Sequence, residues 1–266
     1  MKIILFTLLV AAVLAFLLGF LLGFFKKIFH VEVDETVSKI RECLPGANCG
    51  GCGYPGCDGY AAAVAKGEAP VNSCTAGGTE VAKKVGAIMG VSAEAIAKVA
   101  FVGCRGTKEV AQLRGKYHGI KTCAAAKQAI NGTKLCNWAC IGYGDCAQAC
   151  EFGGIKIGED GLPKINTTEC TGCGSCARAC PQKIITLTVK DTKGPLVQCS
   201  SRNPNKAQIL KLCKNGCIKC GKCEKSCESD AIHVINGLPV IDYAKCSACG
   251  KCVEGCPTKV LILANL

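Results

Sequence analysis

The chain has 266 residues, of which 25 are cysteine, while aromatic residues make up only 5%. Apolar packing alone cannot account for that ratio, so inorganic centres are expected to organise much of each soluble module. The formal net charge of +12 would suit a nucleic acid or another anionic partner, but it counts every cysteine as neutral, and metal-bound thiolates would lower it. An odd number of cysteines argues against a secreted disulfide framework and favours a reducing compartment.

An apolar run without charged residues lies at the start of the chain. It extends over 23 residues, from Ile3 to Phe25, and is long enough to cross a bilayer as a helix. A cleaved signal peptide is the alternative, with 11–15 as a poor cleavage site, but the run continues ten residues further, which exceeds a signal core. The sequence predicts an uncleaved transmembrane anchor over 1–27. Apolar spacing from Val31 to Leu44 then predicts a short amphipathic helix.

The next segment carries a compact cysteine motif. It reads Cys49-Gly-Gly-Cys52-Gly-Tyr-Pro-Gly-Cys57, and Cys74 follows 17 residues later. Glycines allow the backbone to fold tightly around a centre and to direct N–H groups at its sulfurs. The four cysteines predict a small [4Fe–4S] domain over 28–90, with a zinc knuckle as the alternative on spacing alone. Cys43, just upstream, is expected to be a spare thiol.

Alanine-rich sequence follows this motif. Residues from Thr79 to Lys98 predict one or two helices, with Ser92 as an N-cap. We interpret residues 91–135 as a connecting segment that contains Cys104 and Cys123.

The C-terminal segment contains the bacterial ferredoxin motif twice. Each copy is written C-x2-C-x2-C-x3-C, and the two copies are separated by eighteen residues. In two-cluster ferredoxins the fourth cysteine of each copy binds the other cluster. The expected ligand sets are Cys217, Cys220, Cys223 and Cys256 for one [4Fe–4S] cluster, and Cys246, Cys249, Cys252 and Cys227 for the second. A zinc ribbon needs two well-separated cysteine pairs, which this spacing does not provide.

An earlier segment shows the same pattern with one departure. Its second motif is complete, but the first has Tyr143 where a cysteine is expected. By the same rule, one cluster is expected to bind Cys170, Cys173, Cys176 and Cys150. The other has Cys140, Cys146 and Cys180, with Cys136 as the candidate to replace the ligand missing at Tyr143.

The two ferredoxin segments form an internal repeat of about 77 residues. Ile155–Ile157 and Leu162–Ile165 flank a turn and predict a short hairpin, as do Ile232–Ile235 and Leu238–Ile241. The domain limits predicted from this repeat are 136–190 for the first ferredoxin unit, 191–212 for a connecting segment and 213–266 for the second unit. The expected fold class is α+β: a transmembrane helix, a small [4Fe–4S] domain and two bacterial-type 2[4Fe–4S] units with short hairpins and helices.

Five cysteines remain after five clusters are assigned. Free cysteines are usually small buried hydrophobic residues. Four of the five, however, lie just upstream of the two ferredoxin units, and two pairs are related by the repeat. This suggests the hypothesis of a sixth cluster bound by Cys104, Cys123, Cys199 and Cys213, with an exchange of roles with Cys136 left open.

Five clusters at about −2 each would reduce the formal charge to about +2, so no nucleic-acid partner is expected. A local group of lysines has two interpretations: solvated surface that compensates cluster charge, or a docking face for an acidic electron carrier. It comprises Lys206, Lys211, Lys214, Lys219, Lys222 and Lys225. The histidines His30, His118 and His233 are scattered and are not expected to be ligands.

The chain has no nucleotide-binding glycine motif, P-loop or nucleophile elbow. It is therefore expected to move single electrons and to contain no hydride-handling site. Because the cluster chemistry needs a reducing environment, the bulk of the chain is expected on the cytoplasmic side of a bacterial inner membrane, held by one helix.

The order of these parts resembles the B subunit of the Rnf complex. The string from Asn48 to Cys57 is the most specific part of the resemblance, which covers nearly all of the chain. It implies an ion-translocating ferredoxin:NAD⁺ oxidoreductase with other membrane and flavin subunits. In it, a chain of this kind would accept electrons from soluble ferredoxin and pass them through [4Fe–4S] clusters, coupled to Na⁺ or H⁺ export. Tyr143 departs from the ferredoxin pattern and leaves one ligand open.

Two alternative functions are considered. One is an iron–sulfur subunit of a hydrogenase or a formate-oxidising complex, against which the Cys49–Cys74 module argues. The other is a zinc-rich interaction protein, which would be colourless where an iron–sulfur protein is brown.

Overall fold

The computed structural model of the protein describes residues 2–28, 34–92 and 97–264. The first helix, α1 (Lys2–Ile28), includes the apolar segment Ile3–Phe25, whose mean hydropathy is 2.9 and which has none of its surface buried against the rest of the chain. By length and composition this helix can cross a membrane. His30 and residues 31–33 of the predicted amphipathic helix lie outside the described residues.

Three helices form the small domain: α2 (Glu35–Cys43), α3 (Gly56–Ala65) and α4 (Gly78–Met89). The Asp34 side chain caps α2 by accepting from the Thr36 N–H. The fully buried side chains of Ile40, Tyr60, Val64 and Val85 pack where the helices meet. The domain therefore has an apolar core of its own.

Of the one or two helices predicted over 79–98, the structure describes one, α4. It ends at Met89 because Gly90 adopts the left-handed conformation, with φ 70°, which closes the helix as a C-cap. Residues 93–96 lie outside the described residues, and Lys98 lies in a strand.

The first ferredoxin unit has the element order β-α-α-β-β-α-β. Its elements are β1 (Lys98–Val102), α5 (Cys123–Ile130), α6 (Asp145–Gln148), β2 (Ile155–Ile157), β3 (Pro163–Ile165), α7 (Ser175–Ala179) and β4 (Ile185–Val189). β2 and β3 form the predicted antiparallel hairpin, while β1 pairs antiparallel with β4. Strand β1 lies in the segment interpreted as a connection, and it pairs with the last strand of this unit.

The second unit repeats this order at the end of the chain. Its elements are β5 (Pro195–Val197), α8 (Lys206–Leu212), α9 (Lys222–Lys225), β6 (Ile232–Ile235), β7 (Leu238–Ile241), α10 (Lys251–Glu254) and β8 (Leu261–Leu263). β6 and β7 form the second predicted hairpin, and β5 pairs antiparallel with β8. Here too, the preceding segment contributes the outer strand.

Backbone hydrogen bonds join the two units directly. Gln112 donates to the Leu212 carbonyl at 2.9 Å, and Lys214 donates to the Val110 carbonyl at 3.0 Å. The Arg105 guanidinium also reaches the Lys259 carbonyl at 2.6 Å. Segment 105–113 of the first unit is therefore held against the second unit on both sides of Cys213.

Candidate metal centres

Twenty-four of the 25 cysteines fall into six spatial groups of four. Four of the groups each line one cavity. In each of the other two, three thiols lie close enough to the fourth to raise its pKa. Cys43 is left over and packs against the apolar core of the small domain.

The small domain contains the first group. Cys49, Cys52, Cys57 and Cys74 line one cavity beneath α3. Burial raises the pKa of the Cys49 thiol, the Gly51 N–H lowers it, and the neighbouring thiols, with Cys173 foremost, raise it further. The Asn48 carboxamide oxygen accepts the Cys57 N–H at 2.8 Å and so fixes the loop that carries three of these cysteines.

The second group lies in the first ferredoxin unit and matches the complete motif. Burial raises the pKa of Cys176 to about 11, and the thiols of Cys170, Cys173 and Cys150 add to that effect. The Ala100 N–H on strand β1 donates to the Cys170 sulfur at 3.4 Å. Strand β1 thus contributes directly to this site.

The third group differs in one member from the predicted ligand set. Cys140, Cys146 and Cys180 line a cavity whose fourth cysteine is Cys123, while Cys136 lies in the wall of a different cavity. Burial raises the pKa of Cys146 to about 12, and Cys123 is the neighbour with the largest further effect. The structure thus places Cys123, and not Cys136, beside the three cysteines of the interrupted motif.

Helix α5 explains how Cys123 reaches this position. Thr122 caps the helix by accepting from the Ala125 N–H at 3.2 Å. The Asp145 carboxylate accepts the N–H groups of Cys123 and Ala124 at 2.6 and 3.0 Å, respectively. Because Asp145 precedes the group member Cys146, the helix N-terminus is tied to the motif itself.

The second ferredoxin unit contains two groups that match its predicted ligand sets. Cys217, Cys220, Cys223 and Cys256 line one cavity. The second group surrounds Cys252. Burial raises the pKa of Cys252 to about 11, and the neighbouring thiols of Cys227, Cys246 and Cys249 raise it further. Cys220 and Cys249 are exposed, so each group has one thiol at the protein surface.

The remaining group lies between the two ferredoxin units. Its cavity is lined by Cys104, Cys136, Cys199 and Cys213, so Cys136 stands where the sequence hypothesis had Cys123. A signal for this exchange was present in the sequence. Cys136 precedes Cys140 by four residues, as Cys213 precedes Cys217, so the repeat relates Cys136 and Cys213.

The surroundings of these groups fit iron–sulfur clusters. The Thr75 and Thr171 hydroxyls are buried beside Cys74 and Cys170, and neither has a hydrogen-bond partner in the part of the chain that the structure describes. A buried hydroxyl without a partner is costly, and a cluster sulfide could accept its proton. In the same described ranges, no three His, Cys, Asp or Glu side chains are arranged to hold one metal ion.

Contacts also link neighbouring groups. The Arg178 guanidinium donates to the carbonyls of Cys49 at 2.5 Å and of Cys173 at 3.2 Å, which joins the small domain to the first ferredoxin unit. A Cβ atom at Gly51 would lie 2.6 Å from the Cys173 carbonyl oxygen. The absence of a side chain at Gly51 therefore permits the close approach of the first two groups.

Three protein-family models match the chain. An Fe-S cluster family matches residues 44–76, a 4Fe-4S binding domain matches 163–186, and a 4Fe-4S dicluster domain matches 216–260. In the first ferredoxin unit the match begins only after Cys150, that is, beyond the motif that Tyr143 interrupts.

Several curated proteins are similar over most of the chain. The B subunit of the ion-translocating oxidoreductase complex of Methanosarcina acetivorans is 40% identical over 238 residues, 89% of each chain. The B subunit of the Na(+)-translocating ferredoxin:NAD(+) oxidoreductase complex of Acetobacterium woodii is 44% identical over 83% of this chain and 66% of that protein. The corresponding proton-translocating protein of Clostridium ljungdahlii is 38% identical over 93% and 87%.

This chain belongs to the family of B subunits of ion-translocating oxidoreductase (Rnf) complexes. The resemblance to the Rnf B subunit inferred from the cysteine motifs is thereby confirmed. The family also sets aside the hydrogenase-type and zinc-rich alternatives. Membership in this Rnf family further agrees with a mixed helix and strand fold that carries 4Fe-4S domains behind an apolar N-terminal helix.

Proposed function

We propose that this chain is the membrane-anchored polyferredoxin subunit of an Rnf-type complex. It accepts electrons from reduced soluble ferredoxin and relays them through [4Fe–4S] clusters to membrane and flavin subunits. NAD⁺ reduction on those partners is coupled to Na⁺ or H⁺ translocation. The relatives named for ferredoxin:NAD(+) oxidoreductase activity support this proposal, since they match 83% and 93% of the chain.

Five clusters of the relay lie within the small domain and the two ferredoxin units, and their proposed ligands are the five cysteine groups found there. The fourth ligand beside Cys140, Cys146 and Cys180 is Cys123 rather than Cys136, on the basis of their shared cavity. Each cluster would accept and release one electron at a time, which is the chemistry that thiolate-bound [4Fe–4S] centres supply.

The observation that carries the proposal is the contact between separate cysteine groups. The small domain meets the first ferredoxin unit at Arg178, which binds the carbonyls of Cys49 and Cys173. A thiol of one group thus lies beside a thiol of the next. Of the thiols that raise the pKa of Cys49, Cys173 of the neighbouring group has the largest effect. Such contacts suit electron transfer between centres and serve no purpose in isolated structural zinc sites.

The membrane arrangement is part of the same proposal. Helix α1 would cross the inner membrane once, and the cluster domains would lie in the reducing cytoplasm. The exposed lysines at 222 and 225 flank Cys223 on α9, near the exposed Cys220. This basic surface suits docking of an acidic ferredoxin, steered by charge.

The test uses the full-length chain purified anaerobically in detergent. Substoichiometric reduced ferredoxin is mixed with it, and freeze-quenched samples are examined by EPR. We expect reduced [4Fe–4S] signals from the chain as the ferredoxin signal decays, and slower transfer in the Lys222→Glu/Lys225→Glu variant. The matched control is Lys83→Glu/Lys84→Glu on the small domain. Zinc in place of iron, or clusters that ferredoxin does not reduce, would refute the proposal.

A further inference from the structure

Four cysteines outside the complete ferredoxin motifs converge between the two units. Cys104 and Cys199 each follow the outer strand of their own unit, β1 and β5. Cys136 and Cys213 each stand four residues before the first motif cysteine of their unit. Two equivalent positions from each unit thus line one cavity. The arrangement is a pseudo-symmetric four-thiol site that neither unit could build alone.

Backbone N–H groups point at all four sulfurs with the same spacing. The Gly106 N–H donates to the Cys104 sulfur at 3.4 Å. Trp138, Ser201 and Asn215 likewise have their N–H groups close to the sulfurs of Cys136, Cys199 and Cys213, again from two residues further along the chain. Cys49 and Cys217 in the complete motifs show this spacing too, with Gly51 and Lys219 as donors. Such donors stabilise sulfur that carries negative charge.

The space and the charge beside these sulfurs also suit an anionic group. A Cβ atom at Gly106 would lie 3.5 Å from the Cys213 sulfur and 3.6 Å from the Cys104 sulfur, so the glycine leaves room towards the cavity. The Lys134 side chain is 3% exposed and donates to the Gly106 carbonyl at 2.6 Å. Within the described ranges no carboxylate lies at ion-pair distance from Lys134, and the Asp160 carboxylate is the one on which this cation has an effect, since it helps to lower the pKa of Asp160. A buried cation calls for a nearby negative charge.

We propose that Cys104, Cys136, Cys199 and Cys213 bind a sixth [4Fe–4S] cluster, which carries electrons between the two ferredoxin units. The Cys140 N–H donates to the Cys104 sulfur at 3.4 Å, and the Cys217 N–H donates to the Cys199 sulfur at 3.3 Å. The site therefore touches one cluster group of each unit. Each passage moves one electron from a reduced cluster to an oxidised neighbour, with no proton or bond transferred.

This site also gives the clusters an order. Each group is named here by one of its cysteines. Starting at the small domain, electrons would pass through the groups of Cys49, Cys173, Cys146, Cys104, Cys217 and finally Cys252. Within each ferredoxin unit the two clusters are close together, because the fourth cysteine of each motif binds the cluster of the other motif. The metal site stands by itself, whereas its role as an electron bridge rests on the relay proposed above.

The metal site is tested by composition. The full-length chain, purified anaerobically, is analysed for iron, sulfide and zinc and weighed by native mass spectrometry. We expect about 24 irons per chain, four in each of six clusters. Cys104→Ser and Cys213→Ser, one from each unit, should each lower this to about 20. Cys43→Ser, which changes the cysteine outside all six groups, should keep the wild-type count. A wild-type count near 20, or one zinc per chain, would overturn the inference without reference to any variant.

The bridging role is tested by following the spread of electrons. After mixing with substoichiometric reduced ferredoxin, the wild type should share electrons among clusters of both units within the first freeze-quench times. In Cys213→Ser the unit that receives electrons first should be reduced while the other stays oxidised. Full equilibration in that variant would refute the bridge. Loss of four irons together with no reduction by ferredoxin would leave the metal site standing and refute the proposed function.

Discussion

The sulfur of Cys123 lies against the backbone of Tyr143, the residue that interrupts the first ferredoxin motif. Burial raises the pKa of the Cys123 thiol, and the nearby N–H groups of Asp145, Tyr143 and Gly144 lower it. The Tyr143 ring packs instead on Tyr117, with 6.0 Å between ring centroids. A cysteine from outside the motif therefore delivers a thiol to the place that residue 143 no longer supplies.

Replacing Cys123 should remove one cluster. Cys123→Ser is expected to lower the iron content by about four per chain, since a three-cysteine site holds its cluster less firmly. Iron analysis and EPR would check this. The double variant Cys123→Ser/Tyr143→Cys restores the ordinary motif and should recover the lost iron. If Cys123→Ser alone keeps every cluster, Cys123 is not a ligand.

Arg178 should control the exchange of electrons between the small domain and the first ferredoxin unit. Arg178→Gln removes charge-assisted hydrogen bonds to the carbonyls of Cys49 and Cys173. A loss of about 1.4 kcal/mol would reduce the equilibrium constant for docking by about tenfold, which is an upper value because the side chain is exposed. Rapid-mixing EPR should show slower exchange with an unchanged iron count.

The control for this variant is Arg202→Gln, which changes another exposed arginine. It should leave the exchange rate as in the wild type. Equal rates in all three proteins would mean that the contact at Arg178 does not hold the two domains together.

Lys134 should raise the reduction potential of the clusters on either side of it. Its ammonium group lies near Cys140, whose pKa burial raises and this cation lowers. A positive charge favours the reduced state because that state carries the extra electron. Lys134→Met should therefore lower the potential of at least one cluster, by on the order of 50 mV. Redox titration followed by EPR would measure the shift.

An exposed lysine provides the comparison. Lys116→Met removes the same charge from the protein surface and should change the potentials far less. A similar small effect for both variants would show that the buried ammonium does not act on the clusters.

Removal of iron should affect the domains unequally. Four of the eleven buried residues in the first ferredoxin core are cysteines, against one of nine in the small domain. After chelation we expect the strands β1 to β8 to lose protection from hydrogen exchange, while helices α2 to α4 keep part of theirs. Exchange followed by mass spectrometry would check this. Equal loss in both regions would show that the small domain also depends on its cluster for folding.

The hairpins and complete motifs could be predicted from the sequence because their determinants are local. Ile155–Ile157 and Pro163–Ile165 are separated by a turn of five residues and pair as expected. The outer strands could not be predicted in the same way. β1 pairs with β4, which lies more than eighty residues later, and β5 pairs with the distant β8. No local sequence pattern therefore predicts either pair.

The exchange of Cys123 and Cys136 has the same cause. Spacing placed Cys136 near the incomplete motif, but the choice depends on the direction in which helix α5 enters, which Thr122 and Asp145 set. The two thiols differ in tertiary surroundings rather than in local sequence. Internal repeats were the better guide, because they relate Cys136 to Cys213.

The pairing of β1 with β4 has a consequence for how the protein is made. Lys98 lies opposite Val189, so the first ferredoxin unit cannot close until residue 189 has left the ribosome. The small domain, complete by residue 90, can fold long before that. Synthesis thus imposes an order of maturation from the N-terminus onwards. A chain stalled near residue 190 would contain Cys104 and Cys136 without Cys199 and Cys213. The two thiols of this incomplete site would be open to oxidation or to binding of another metal.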